Sequence, residues 1–301
     1  RRDGRYPKRL AQGPCQKSRR GCPGGSARAV NATSPTSQTG AAVAVINEPT
    51  PEGKIAQSRL HADAWQAGTL STIGDVSPPD RPARPPKPEL LAPRLMPRRS
   101  KGGEAGRFAF VHAIAHIEFN AIDLAWDIVA RFTDEAMPTA FYDDWVGVAA
   151  DEARHFELLC GRLDDLGGAY GDLPGHDGLW EASSATSDDL LARLALVPMV
   201  LEARGLDTTP AAVARFRRTG DDATADLLEF IGTEEIPHVA AGVRWFEFLA
   251  RQRGLEPIAA FHEIIETRFG VNLKPPFNSQ ARDAAGMAPA YYQLYADAAD
   301  S

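Results

Sequence analysis

The sequence predicts an all-α protein. Its centre is a bundle of four long helices, preceded by short helices and a proline-rich strap and followed by a helical extension. Three observations predict this. Apolar residues recur at helical spacing through four long segments of the later two thirds of the chain. No segment alternates apolar and polar residues in the way a half-buried strand does. Two of the long segments carry a Glu-x-x-His pair, "DEARHFELL" and "EEIPHVAAG", on the face that the periodicity sends inward.

Each element follows in order. Residues 1–40 form a basic, Pro/Gly/Ser-rich tail with little to bury, and are expected to be disordered. Such a tail is either a solvated extension or an arm for a polyanion. Short helices are expected at 41–46 and about 51–67, the second opening at "TPEG" with Pro51 at an early helical position. The stretch "SPPDRPARPPKPELLAPRLMPRR" is too rich in proline for helix or central strand, and reads as an extended strap. Residues 41–101 are thus short helices and a strap packing on a core formed by residues 102–301. The long helices are expected over 106–132, 138–166, 188–205 and 221–253. A loop at 167–187 contains "GGAYGDLPGHDG". "DTTP" restarts a short helix at Thr209–Pro210 that ends near Gly220. A further helix at 256–268 and a strap with short helices complete the chain.

The chain has 301 residues and a formal net charge of −7. Residues 1–101 carry a net +11 and residues 102–301 a net −18. The acidic part opposes binding to a polyanion, so a nucleic-acid substrate is a weak reading. No run of about 18 apolar residues occurs, so no membrane-spanning helix is expected, and no apolar signal core lies near the start. Cys15, Cys22 and Cys160 form no CxxC pair, and an odd count suits a reducing, cytoplasmic setting. A chain opening on Arg1 is expected to be a fragment or the product of an unusual gene start.

Stepping each long segment at 100° per residue places the polar residues that matter. Glu118 falls among Val111, Ile114, Ala115, Ala121, Ile122 and Ala125. Glu152 and His155 fall with Phe141, Trp145, Val148, Phe156 and Leu159. Glu202 falls with Leu191, Ala195, Met199 and Leu206. Glu235 and His238 fall with Leu228, Ile231, Val239 and Phe246. A carboxylate on a buried face is costly unless it is paired or bound to a cation. Four carboxylates and two neutral imidazoles carry −4, which two divalent ions cancel. One Glu from each of two helices, plus Glu-x-x-His from each of the other two, is the ligand set of carboxylate-bridged di-metal bundles. The spacing agrees. Glu118 and Glu152 are 34 apart and Glu202 and Glu235 are 33 apart, the interval of a helix hairpin returning to the same height. The metal ligands are therefore expected to be Glu118, Glu152, His155, Glu202, Glu235 and His238. With mixed carboxylate and imidazole and no thiolate, iron is favoured, as two iron ions or a manganese–iron or di-manganese pair.

Metal-bound histidines usually donate their other N–H to a carboxylate. Asp151 is the candidate for His238, and Glu234 for His155. Arg204 and Asp207 flank an expected helix break and would either pair and fix Glu202 or cap the helix end. His112 and His116 lie on another face and are assigned a structural part, with a hydrogen-bond network to the strap as the alternative. His176 and Trp180 sit on the loop between hairpins, which packs or forms a lid. Cys160 is read as a half-buried spectator. Pro198 and Pro237 interrupt ligand helices, and Pro237, inside its motif, is expected to disturb ligand geometry most.

Several stretches together carry a resemblance: "HAIAHIEFNAIDLAWD", "FYDDWVGVAADEARHFELL", "YGDLPGHDGLWE", "VLEARGLDTTP", the "RPARP" strap and the "PFNSQARDAAG" tail. Over about residues 41–290 the chain resembles the ferritin-like proteins of domain of unknown function 455. The resemblance implies a ferritin-like four-helix core with the six ligands named above. It departs at Pro237, where glycine or another residue is expected. More distantly the chain resembles the di-iron tRNA hydroxylases of the same superfamily. The leading expectation is a di-iron oxidase or oxygenase acting with dioxygen on a small organic substrate, as a monomer or homodimer. The alternatives are iron or peroxide handling without an organic substrate, tRNA hydroxylation, and a metal-stabilised bundle without activity.

Overall fold

The computed structural model describes residues 35–97, 102–270 and 273–297. The expectation of disorder for residues 1–34 lies outside the described residues; for 35–40 it is corrected, since Gln38–Gly40 open the first helix. Among the described residues the chain is all-helical. Strand pairing is limited to one isolated parallel bridge, Leu90 with Gly175.

Helix α1 (Gln38–Ile46) begins three residues earlier than expected, because Ser37 accepts a hydrogen bond from Gly40 N and so caps it. Helix α2 (Pro51–Gln66) is capped in the same way by Thr50. Helices α3 (Gly103–Arg131) and α4 (Thr139–Asp165) form the first long pair. A short helix α5 (Gly178–Ser184) lies in the connection to the second pair. That pair starts with α6 (Leu190–Leu196), passes through a π-helical segment at Val197–Glu202, and continues as α7 (Ala203–Arg218). Gly220, at φ 75°, turns the chain, and Asp221 caps α8 (Asp222–Gln252) by accepting from Thr224 N. Helices α9 (Pro257–Glu263), α10 (Ser279–Ala284) and α11 (Gln293–Asp297) follow.

Helices α4 and α8 run antiparallel, as their cross-contacts show. Asp144 accepts from Arg244 and Trp245, Asp151 meets His238, Glu234 meets His155, and Arg162 donates to Asp221 and Thr224. One residue number rises as its partner falls. Helix α1 covers α3 and α2 covers α4. The core runs between the helices through Phe119, Trp126, Trp145, Phe156, Met199 and Phe246.

By length and composition alone helix α3 could cross a membrane, but 67% of its most apolar stretch is buried inside the protein, as in a core helix. Its buried polar residues are tied to neighbouring segments. Asp123 accepts from Lys54 Nζ of α2 at 2.6 Å and from Arg84 of the strap at 2.8 Å. Asp127 accepts from Arg193 at 2.6 Å and from Arg131, so it ties α6 to α3. The strap is fastened along α3 and α5: the Trp180 indole donates to the Asp80 carbonyl, Arg131 donates to the Pro79 carbonyl, and Arg81 pairs with Asp177. Trp180 is thus a packed anchor of that loop.

Two expectations about proline are corrected. The helix expected to stop near residue 205 runs on to Arg218, with Pro210 inside it. Proline removes the donor that would bond the carbonyl four residues back. Here that carbonyl, on Leu206, accepts from Asn278 Nδ2 at 3.1 Å instead. Helix α8 passes through Pro237 without interruption. The irregular turn lies in the other arm of the same hairpin, where Pro198 sits near the start of the π-helical segment that ends on Glu202. Pro198 packs directly on Gly242 of α8: a Cβ there would lie 2.4 Å from the Pro198 Cβ.

Candidate metal centre

The first long pair contributes Glu118 from α3 and Glu152 and His155 from α4. The second contributes Glu202 from the end of the π-helical segment, and Glu235 and His238 from α8. Apolar packing dictates this convergence. Each of these positions is flanked one helical turn away by buried residues, such as Ile122, Phe156, Met199 and Val239. Burying that stripe carries the polar residues inward with it.

Glu118, Glu152, His155 and Glu235 each offer an atom within 4.8 Å of the others, and this buried group could hold a metal ion. His155 Nδ1 lies 3.6 Å from Glu118, 3.8 Å from Glu152 and 3.5 Å from Glu235. His238 Nδ1 lies 3.0 Å from Glu152 and 3.3 Å from Glu235. Glu152 and Glu235 therefore approach both imidazoles, whose ring centres are 5.7 Å apart, while Glu118 approaches His155. Glu202 faces the same cavity as the three other carboxylates.

Four atoms here are buried without a hydrogen-bond partner: Glu152 Oε2, Glu202 Oε2, His155 Nδ1 and His238 Nδ1. Buried polar atoms are almost always paired, so four such atoms in one place call for a missing partner. All four are metal-donor atoms, and cations fit them. Without cations, protons take that place. Burial, then the charge of Glu152, pushes the Glu118 carboxyl well up. Burial, then Glu152 and Glu235, pushes Glu202 to about 8. Glu202 is half-buried as a residue, but its Oε2 is sealed from solvent, and that atom sets the direction. Burial opposes charging of both histidines, but the carboxylates around them outweigh it and hold them well above the ordinary imidazole range.

Behind each imidazole stands a carboxylate. His155 Nε2 is 3.0 Å from Glu234 and His238 Nε2 is 3.4 Å from Asp151. With Nε2–H turned to these acids, each Nδ1 is left facing the cluster. One residue that the sequence reading missed joins the two acids. Arg154 reaches Asp151 at 2.5 Å and Glu234 at 2.8 Å, with its guanidinium over Phe230. Its i,i+3 spacing from Asp151 was the available signal; its reach to Glu234 depends on the packing of α4 on α8.

Arg204 and Asp207 are placed otherwise than expected. They lie 3.6 Å apart, but both are held by the C-terminal segment instead of fixing Glu202. Arg204 Nη1 donates to the carbonyls of Lys274 and Pro276. Asp207 accepts from Arg282 through both oxygens and from Asn278 N. The helix end they were expected to cap is absent, because α7 continues. His112 and His116 fasten the 167–187 loop, and reach the strap through it. Gly171 N donates to His112 Nε2. His116 Nε2 donates to the His176 carbonyl, so its Nδ1 accepts from the Tyr170 hydroxyl. Burial lowers His116 to about 4, consistent with this neutral form. Cys160 is half-buried, and burial raises its thiol to about 12.

Two cavities flank α3. The larger, about 300 Å³, lies under the 167–187 loop beside His112, His116 and His176, away from the carboxylates. The smaller, about 270 Å³, ends on Glu118, Glu152, Glu202 and Glu235, and its walls include Phe110, Ile114, Leu228 and Ile231. The four carboxylates line the second.

A family model described as "Protein of unknown function (DUF455)" matches residues 47–293. The chain belongs to this family. It is also 42% identical over 223 residues to a Haemophilus influenzae protein bearing the name "Uncharacterized protein"; the match covers 72% of this chain and 77% of that protein. No solved structure matches. The family model spans all six cluster residues, Arg154, and the two acids behind the histidines.

Proposed function

We propose that this DUF455 protein is a ferritin-like, di-metal carboxylate oxidase or oxygenase. Glu118, Glu152 and His155 would hold one ion and Glu202, Glu235 and His238 the other; Glu152 and Glu235 lie near both imidazoles. Two iron ions, or a manganese–iron or di-manganese pair, would supply the redox chemistry that reduces dioxygen. The remaining roles fall to the chain. Glu234 and Asp151 orient the imidazoles by accepting from Nε2, and Arg154 holds both acids in place. The four carboxylates balance the charge of two divalent ions. The apolar walls keep water away from the reacting side of the cluster.

The observation that favours an organic substrate is the apolar cavity ending on all four carboxylates. Handling of iron alone would need no such walls. The test is to load the protein anaerobically with Fe(II), add excess Fe(II), and admit oxygen. An oxidase or oxygenase oxidises its bound pair and leaves the excess iron largely untouched. Sustained oxidation of many irons per chain would replace this reading with a ferroxidase.

A further inference from the structure

We propose that the cavity takes a small, apolar carboxylic acid whose carboxylate docks on Arg204. This rests on the di-metal reading in one respect, the neutrality of the cavity floor.

Burial orients the cavity. Side-chain exposure is 1% at Glu152, 7% at Glu118 and 12% at Glu235, against 41% at Arg204. The cluster is the floor, and Arg204 is at the mouth. Among the lining residues only the four glutamates and Arg204 carry formal charge. Once two divalent ions balance the glutamates, Arg204 is the charge that an incoming molecule meets.

That charge is poorly compensated. Among the described residues its one acidic ion-pair partner is Asp207, which is 3.6 Å away and already holds Arg282 through both oxygens, at 2.9 and 2.7 Å. The bonds of Arg204 to the Lys274 and Pro276 carbonyls both use Nη1. They hold the guanidinium through Nη1, and among the described residues Nη2 and Nε are left for another acceptor. A fixed guanidinium edge matches a carboxylate through two parallel hydrogen bonds. Behind it, Phe110, Ile114, Leu228 and Ile231 offer apolar wall to a chain that ends near the cluster. The volume is at the small end for ligand sites, which suits a short acid and excludes a bulky polar molecule.

The test measures binding of octanoate, octan-1-ol and octylamine to the full-length protein by calorimetry. Zinc replaces the redox-active metal so that nothing turns over, and the zinc content of the same sample is determined. Octanoate is expected to bind at least about tenfold more tightly than octan-1-ol, with octylamine weakest. Arg204→Gln is expected to remove that preference while leaving octan-1-ol affinity within about threefold, which shows the cavity intact. Arg204→Lys should recover part of the loss. The proposal is overturned if octanoate does not bind saturably, if octan-1-ol or octylamine binds as well, or if Arg204→Gln weakens octanoate and octan-1-ol alike. The zinc content separates the two readings. An Arg204-dependent preference with less than about one zinc per chain sinks the di-metal reading and keeps this one. Full zinc without the preference does the reverse.

Discussion

Glu202→Gln should reverse the sign of its effect on stability according to whether the cluster holds metal. In the metal-free protein the Glu202 carboxyl sits at about 8, against 4.5 when unfolded. Between those values the folded chain keeps a proton that the unfolded chain releases. Its contribution is therefore complete below pH 4.5 and is lost as pH rises through about 8. Each unit in that window costs about 1.4 kcal/mol, so moving from pH 5 to pH 7 costs just under 3 kcal/mol. Partial exposure of the residue reduces this to about 2 kcal/mol. Glutamine has no proton to lose. Urea denaturation with a chelator present should show the variant gaining about 2 kcal/mol on its parent between pH 5 and pH 7. Comparing the two pH values cancels any change in packing. With zinc bound, the variant has lost a charged ligand and should be the less stable protein. Parallel pH profiles in chelator, or a variant that stays more stable with zinc, would refute the reasoning.

Other substitutions probe separate parts of the account. Asp127→Ala leaves the fully buried Arg193 without its carboxylate, and should cost about 3–5 kcal/mol in urea denaturation; Asp127→Leu combined with Arg193→Met should restore most of it, and equal loss in both variants would contradict the pairing. Glu234→Ala should weaken metal binding about 10- to 100-fold in chelator competition. Asp151→Ala should do less, since its contact is 3.4 Å against 3.0 Å; no change in either would remove the orienting role. Gly242→Ala forces a methyl group onto Pro198 and should cost about 1–3 kcal/mol in thermal unfolding, whereas unchanged stability would mean that α8 and the π-helical segment are not in close contact.

Much of this architecture was legible because the signals are local and repeated. Four long periodic segments gave the helices to within a few residues at most ends. Buried-face glutamates at matched intervals brought together Glu118, Glu152, His155 and Glu235. The acids directly preceding Glu152 and Glu235 pointed to the contacts of Asp151 and Glu234 across the helix pair. What stayed hidden depends on distant partners. "DTTP" carries the local chemistry of a helix start, yet Asn278, some seventy residues later, supplies the donor that Pro210 lacks, and the helix continues. Pro198 and Pro237 look equivalent in sequence, but only Pro198 lies in a π-helical turn. Arg204 and Asp207 looked like partners of Glu202 because they are near it in sequence. The C-terminal segment that claims them gives no local sign of doing so.

Metal content tests the central claim most directly. Protein stripped with chelator, loaded anaerobically with Fe(II) and freed of loose metal should hold about two irons per chain. Glu152→Ala and His155→Ala should each bring this down to about one or fewer. Less than about one iron in the parent protein, or unchanged content in both variants, would contradict the assignment of these six residues to a di-metal centre.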